Sequence, residues 1–386
     1  MICQKDKCTG CYACYNICPK KAISFNEDDF GFIYPHVDKE KCIDCGLCKK
    51  ICPQINDKLK MIQPNKVYAA YSNDNQIREK STSGGLATII SKEILSQGGV
   101  VYGAANLFEK KEFEYIRIDD EKKLYTIQGS KYVHCYVKDA YINAKGDLLQ
   151  RKKVLFIGTP CQIAGLKAFL MKEYDNLYTI DIICHGVPSQ KLLFEDLKYN
   201  NIAKKNFDIV RFRNRMGYNL SIYKNKNDFE NNNPTKSIYA NLDYFFKNFL
   251  RGNIFRENCY SCKYANDNRI SDITLGDFWG LNKDSKAYDD ERLGISVVIC
   301  NNIKGEILFS LIKNEITFDE RTYDEAKKFN EQLKHPMKKS KQYYIFRENY
   351  LKKGFLKTMK KMNLIKDYLK YNKLYLFIKN MKNGKV

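Results

Sequence analysis

The chain has 386 residues, 66 Lys+Arg against 45 Asp+Glu for a formal net charge of +21, and 15 cysteines beside one tryptophan. That length fits about two or three domains, and a hydrophobic content of 44% excludes wholesale disorder. No apolar h-region follows Met1 and no apolar run approaches the roughly 18 residues of a membrane span, so a cytoplasmic protein with reduced, metal-binding cysteines is expected.

Residues 1–60 hold nine of the fifteen cysteines. Cys8-x2-Cys11-x2-Cys14-x3-Cys18-Pro19 recurs 34 positions later as Cys42-x2-Cys45-x2-Cys48-x3-Cys52-Pro53. In two-cluster ferredoxins three such cysteines wrap one cube, and the fourth, ahead of proline, ligates the other. The spacing assigns Cys8, Cys11, Cys14 and Cys52 to one 4Fe–4S cluster, and Cys42, Cys45, Cys48 and Cys18 to a second. A zinc site would need only two Cys-x2-Cys pairs. The segment resembles the bacterial two-cluster ferredoxin, a small α+β domain, with Ala22–Phe25 and Gly31–Pro35 as hairpin strands.

From residue 66 to about 330, short apolar runs alternate with helical stretches. Gly99–Tyr102, Val154–Ile157 and Leu177–Ile183 read as strands, the last two followed by helices over Gln162–Lys172 and Gln190–Lys198. Ser271–Gly276 and Gly294–Cys300 add strands, and Asn225–Asn233 reads as an exposed loop. The alternation predicts an α/β domain with a mixed, partly parallel sheet.

Within this region, Ser81-Thr82-Ser83-Gly84-Gly85 precedes a helical stretch, Leu86–Leu95. A glycine turn with free N–H groups, capped by Ser83, suits a cofactor phosphate; an ordinary capped turn has the same residues. Lys131 and the Gly158-Thr159-Pro160 turn are further flavin-pocket candidates, Lys131 as a partner for pyrophosphate. The chain lacks a Gly-x-Gly-x-x-Gly fingerprint, so a standard dinucleotide site is not expected.

Cys161 and Cys184 each follow a strand, where α/β sheets place ligands, and Cys259 and Cys262 form a loop pair. Together they supply four ligands, enough for a third 4Fe–4S cluster or a zinc ion. Cys3, Cys135 and Cys300 are left as structural residues. His185, beside Cys184, reads as a cluster neighbour or as a loop histidine bonded to backbone. Trp279 and Asp277 sit in a glycine-bounded turn, stacking on a cofactor or packing over the third cluster.

The segment 331–386 predicts a basic helical tail, with Leu351, Phe355, Met359, Met362 and Leu369 at helical spacing between lysines. From Lys334 onward the chain carries 16 Lys+Arg and 2 Asp+Glu. Packing on the body is preferred over a peripheral membrane contact, and the tail carries no nucleic-acid signature.

Taken in order, Ser81–Gly85, Gly129-Ser130-Lys131-Tyr132, Gly158–Gln162, Cys184-His185-Gly186-Val187-Pro188-Ser189 and the run from Cys259 to Gly280 resemble the deazaflavin-coenzyme (F-420) hydrogenase/dehydrogenase beta-subunit family. The resemblance spans roughly residues 1–350. It implies a beta-subunit N-terminal region at 66–148 with a flavin-binding loop, and a C-terminal region at 149–330 carrying the third cluster on Cys161, Cys184, Cys259 and Cys262. It also implies a flavoprotein-like fold and an oxidoreductase. Such an enzyme passes electrons between a two-electron carrier or other small redox substrate, FAD and 4Fe–4S clusters, to or from ferredoxin or another redox protein. The deazaflavin coenzyme is one such substrate, though bacterial relatives occur without evident use of it, some beside surface-polysaccharide genes. A non-catalytic electron-transfer subunit serving a separate enzyme is the alternative. No acid–base residue is singled out, because the cofactors carry the chemistry.

Overall fold

A computed structural model describes residues 2–56, 58–107, 112–202, 207–214, 217–289 and 291–362. The N-terminal segment forms two short helices, Ala13–Ile17 and Leu47–Lys50, around an antiparallel hairpin of β1 (Ile23–Glu27) and β2 (Ile33–Val37). The cysteine repeat is also a repeat of backbone shape. Gly10 and Tyr12 have φ of 65° and 65°, and their counterparts 34 positions on, Asp44 and Gly46, have 48° and 70°. Glycine occupies the first left-handed position in one copy and the second in the other; Tyr12 and Asp44 bear the strain that glycine avoids.

The body is built on one eight-stranded mixed sheet. Its strands are β3 (Lys66–Ser72), β4 (Val100–Leu107), β5 (Glu112–Ile118), β6 (Val154–Gly158), β7 (Leu177–Ile182), and, after a smaller sheet, β11 (Ile273–Asp277), β12 (Ser296–Cys300) and β13 (Ile316–Arg321). The order is β13-β3-β12-β11-β7-β6-β4-β5. The four strands β4, β6, β7 and β11 run parallel, and the flanking pairs are antiparallel. One sheet thus draws strands from both sides of the 148/149 boundary. The smaller antiparallel sheet, β8 (Ile209–Asn214), β9 (Gly217–Tyr223) and β10 (Lys236–Tyr239), has no counterpart in the sequence reading. The stretch read as a loop, 225–233, contains a short helix, Lys226–Glu230, capped by Asn225.

Side chains alternate across the central strands. Val100, Tyr102, Val154 and Phe156 face the helices Ala140–Leu149 and Pro160–Leu170. Val101 and Leu155 face Leu86–Ser96 and Ile303–Leu311. A sheet buried on both faces keeps its strands apolar throughout. Cys11, Tyr12, Ala13, Ile33 and Ile51 join the first of these cores, so the N-terminal segment packs on that side of the body.

The tail forms a helix, Lys341–Lys361, broken in phase at Gly354 (φ 70°, ψ 176°). Tyr343, Phe346 and Tyr350 are buried before the kink, and Phe355, Met359 and Met362 after it. Leu351 was expected on that stripe but is 53% exposed, because the kink resets the helical phase. Leu369 lies outside the described residues. Phe346 and Tyr350 pack against Phe30 in the β1–β2 turn, with ring centroids 5.7 and 5.4 Å away. Arg347 pairs with Glu257 at 3.5 Å.

Two buried carboxylates, Asp196 and Asp243, share a site between the helices Gln190–Tyr199 and Tyr244–Leu250. Burial raises both above the ordinary carboxylate range, and the Asp243 charge raises Asp196 further, so Asp196 holds the proton that links them. The folded state therefore binds more protons than the unfolded chain. Its extra stability is full below the unfolded pKa near 4 and is lost as pH rises through the folded values. Denaturant midpoints measured from pH 5 to pH 8 are expected to fall for the wild type and to flatten for Asp196→Asn. An identical slope in both proteins would refute the shared proton.

Candidate redox centres and an arginine-lined cavity

The sequence-predicted cysteines fall into three groups. Cys8, Cys11, Cys14 and Cys52 are buried; Cys18, Cys42 and Cys48 are half-buried, and Cys45 is exposed. In the first group, burial pushes the Cys11 thiol up to about 12 and raises Cys14, and the neighbouring thiolates of the set raise both. Cys3, read from sequence as merely structural, lies among them. Its thiol interacts with Cys52 and Cys8, which raises its own pKa and lowers Cys8 to about 6 and Cys52 to about 7. In the second group burial raises Cys48, with Cys18 and Cys42 adding to the effect. The Ala22 N–H donates to Cys18 Sγ at 3.3 Å.

The third group converges as its positions imply. β6 and β7 are hydrogen-bonded neighbours, so the residues following them sit side by side. Cys161 lies in the first turn of Pro160–Leu170, and Cys184 follows β7. Cys259 lies in the 3-10 turn Glu257–Ser261 and Cys262 closes it. Burial pushes Cys161 and Cys184 up to about 12, each helped by Cys262, and raises Cys259 and Cys262. Buried thiols that resist ionisation together are what a cationic metal centre relieves, because coordination removes the proton outright. The donors here are all sulfur, which suits an iron–sulfur cube. Among the described residues, no three His, Cys, Asp or Glu side chains close in on a single metal ion.

The first and third groups meet at one helix. Gly165 lies four residues after Cys161, on the same face. A Cβ there would stand 2.9 Å from Cys11 Cβ, 3.1 Å from its Sγ and 2.7 Å from the Tyr141 hydroxyl. Glycine is thus what lets Cys11 reach the helix bearing Cys161. Tyr264 lies between the groups: beyond burial, its phenol is raised by Cys161, Cys11, Cys262 and Cys52.

The third group rests on a buried ion pair. Arg269 bonds Asp181 at 2.9 Å, with the two side chains 2% and 0% exposed. It also reaches Thr274 Oγ1 at 3.1 Å and Tyr264 O at 3.3 Å. His185 turns to the backbone instead, its Nε2 3.0 Å from Leu250 O and its ring edge-on to Phe249 and Phe255.

The flavin-pocket candidates divide. Ser81 and Thr82 line a cavity of about 460 Å³ with Arg78, Arg213, Tyr218, Trp279 and Arg292. Arg213 bonds Asp277 at 2.6 Å and lies 4.8 Å from the Tyr218 ring and 5.8 Å from Trp279. Arg78 is 2% exposed, pairs with Asp289 at 2.5 Å and stacks on Tyr71 at 4.0 Å. Ser83 does not cap the helix Leu86–Ser96. Gly85 does, with φ 87°, and Ser83 Oγ is a buried hydroxyl without a hydrogen-bond partner. Gly84 is required by the sheet, since a Cβ would meet Ala70 O at 2.4 Å.

The remaining candidates serve neighbouring structure. Lys131 donates to Gln128 O and Gly129 O at 2.9 and 3.0 Å, and burial lowers it to about 7. Gly158 makes room for the Tyr115 hydroxyl, and Thr159 forms a capping box with Gln162. Thr159 Oγ1 also lies 3.2 Å from Cys161 Sγ, placing this turn with the third cysteine group. The cavity arginines, Gly165 and Tyr264 escaped the sequence reading. The arginines are three among 66 basic residues, with no local spacing to mark them.

Residues 7–55 match the family model described as a 4Fe-4S dicluster domain. Residues 67–140 match that of the coenzyme F420 hydrogenase/dehydrogenase beta subunit N-term, and residues 151–326 that of the same subunit's C terminus. Among solved structures, a chain of the F420-reducing [NiFe] hydrogenase complex from Methanosarcina barkeri aligns at 16% identity and a TM-score of 0.46, over 68% of this chain and 84% of that one. No curated protein matches.

Proposed function

The chain belongs to the coenzyme F420 hydrogenase/dehydrogenase beta-subunit family, and from that membership we propose that it is an iron–sulfur flavoprotein moving electrons between a two-electron carrier and a one-electron partner. The supporting observation is the arrangement of the three cysteine groups. The third group meets the buried first group at Gly165 and Tyr264, and the second opens to the surface at Cys45. Bound clusters would supply one-electron chemistry, and bound FAD the exchange between one and two electrons. The protein's part is to line up these sites and exclude water between them.

The N-terminal segment is proposed as a two-cluster ferredoxin-like unit on Cys8, Cys11, Cys14 and Cys52, and on Cys42, Cys45, Cys48 and Cys18. A third cluster sits on Cys161, Cys184, Cys259 and Cys262. The arginine-lined cavity is proposed for the flavin or its anionic partner. Its volume lies in the usual range for small-ligand sites, its arginines suit phosphate or carboxylate, and Ser83 Oγ offers an unused polar group. Beside Cys45 in the chain, Ile43 is exposed, with the exposed Lys41, Lys49 and Lys50 flanking it. An apolar centre with a basic rim suits an acidic one-electron carrier such as ferredoxin. Among the described residues no helix is long and apolar enough to cross a membrane.

Anaerobic purification with iron, sulfide and flavin quantified tests this reading. About twelve irons and one flavin per chain are expected. A sample with iron but no flavin retention would remove the two-electron half of the proposal and leave an electron-transfer subunit.

A further inference from the structure

Arg256 is fully buried and has no part in the reading above. It precedes the turn carrying Cys259, and its side chain crosses to the N-terminal segment. Nε donates to Cys8 O at 2.7 Å and Nη2 to Ile33 O at 2.8 Å, and Cζ lies 4.3 Å from the Tyr34 ring. Nη1 is buried and has no hydrogen-bond partner. A guanidinium keeps its charge in a protein, and a buried N–H left unbonded is costly. The carbonyls that Arg256 bonds carry no formal charge. Cζ also stands 3.4 Å from where a Cβ on Gly10 would lie, so the guanidinium is held against the backbone of the first cysteine motif.

We propose that Arg256 Nη1 donates to the anionic cube held by Cys8, Cys11, Cys14 and Cys52, and that this bond and charge raise the reduction potential of that centre. A reduced cube is more negative than an oxidised one, so a nearby cation and a donor to its sulfurs stabilise the reduced state. Arg256 is then a positioning residue that makes the first centre a favoured stop for one electron. That electron leaves the third centre, oxidising it by one unit, and reduces the first by one unit; no bond breaks and no proton moves. The inference rests on the iron–sulfur reading.

The test is an EPR-monitored redox titration of the full chain, purified anaerobically, with iron content measured first. Arg256→Met is expected to lower one midpoint potential by at least a tenfold change in equilibrium, about 59 mV for one electron, leaving the other two in place. Arg256→Lys keeps the charge without the planar fork and is expected to fall between. Iron-replete variants with unchanged potentials would overturn the inference alone. A wild type that binds no iron would overturn the iron–sulfur reading with it. Should neither variant fold, wild-type protein labelled with guanidino-15N arginine serves instead. Pulsed EPR is expected to detect a 15N coupling on the reduced first centre, and its absence overturns the proposal.

Discussion

Replacing Cys184 by serine is expected to reduce the iron of anaerobically prepared protein from about twelve to about eight atoms per chain. Donor-driven reduction of an external carrier should be lost, while dithionite still reduces the two N-terminal centres. Cys184 follows β7, beside Cys161 after β6, and it shares a buried site with both Cys259 and Cys262. A hard hydroxyl in place of a soft thiolate weakens an iron–sulfur site. Cys300 supplies the control. It is fully buried and ends β12 in the core on the other face of the sheet. Cys300→Ser is expected to retain all twelve irons. Full iron in Cys184→Ser would show that the third group is a packed cluster of thiols and not a ligand set.

Arg269→Met is expected to destabilise the chain by roughly 3–5 kcal/mol, read as a lower denaturant midpoint. Removing the guanidinium strands Asp181 as a lone charge at 0% exposure, and that loss exceeds anything a surface pair contributes. The damage should also reach the third cysteine group. Arg269 ties β7 through Asp181, β11 through Thr274, and the loop after Cys262 through Tyr264. Iron loss from that group alone is therefore expected before global unfolding. The double variant Asp181→Leu/Arg269→Met, which removes both charges, should recover most of the stability. If it does not, the ion pair itself and not the stranded charge sets the cost.

What could be read from sequence was what spacing encodes. The two cysteine repeats, the hairpin between them and the strand–loop–helix units around Cys161 and Cys184 are local patterns, and each appears in the structure. Strand order placed Cys161 and Cys184 together because β6 and β7 pair. The sites that escaped depend on distant chain meeting distant chain. Arg256 finds Cys8, Arg269 finds Asp181, and Arg78, Arg213 and Arg292 converge on one cavity. None of these basic residues differs locally from the other lysines and arginines. The STSGG loop shows a subtler limit. Its glycine at position 84 is demanded by the Ala70 carbonyl, so a motif suited to phosphate is also an ordinary answer to close packing. The kink at Gly354 likewise resets a stripe that a straight helix would have continued past Leu351.

The helix Lys341–Lys361 covers Phe30, which lies roughly three hundred positions earlier in the chain. At about 5–20 residues per second on the ribosome, the aromatic cover of the β1–β2 turn arrives some 15–60 s after the turn itself. During synthesis, then, the β1–β2 turn at Phe30 waits uncovered for a helix made roughly three hundred residues later, a long-range contact within the N-terminal segment's own surface.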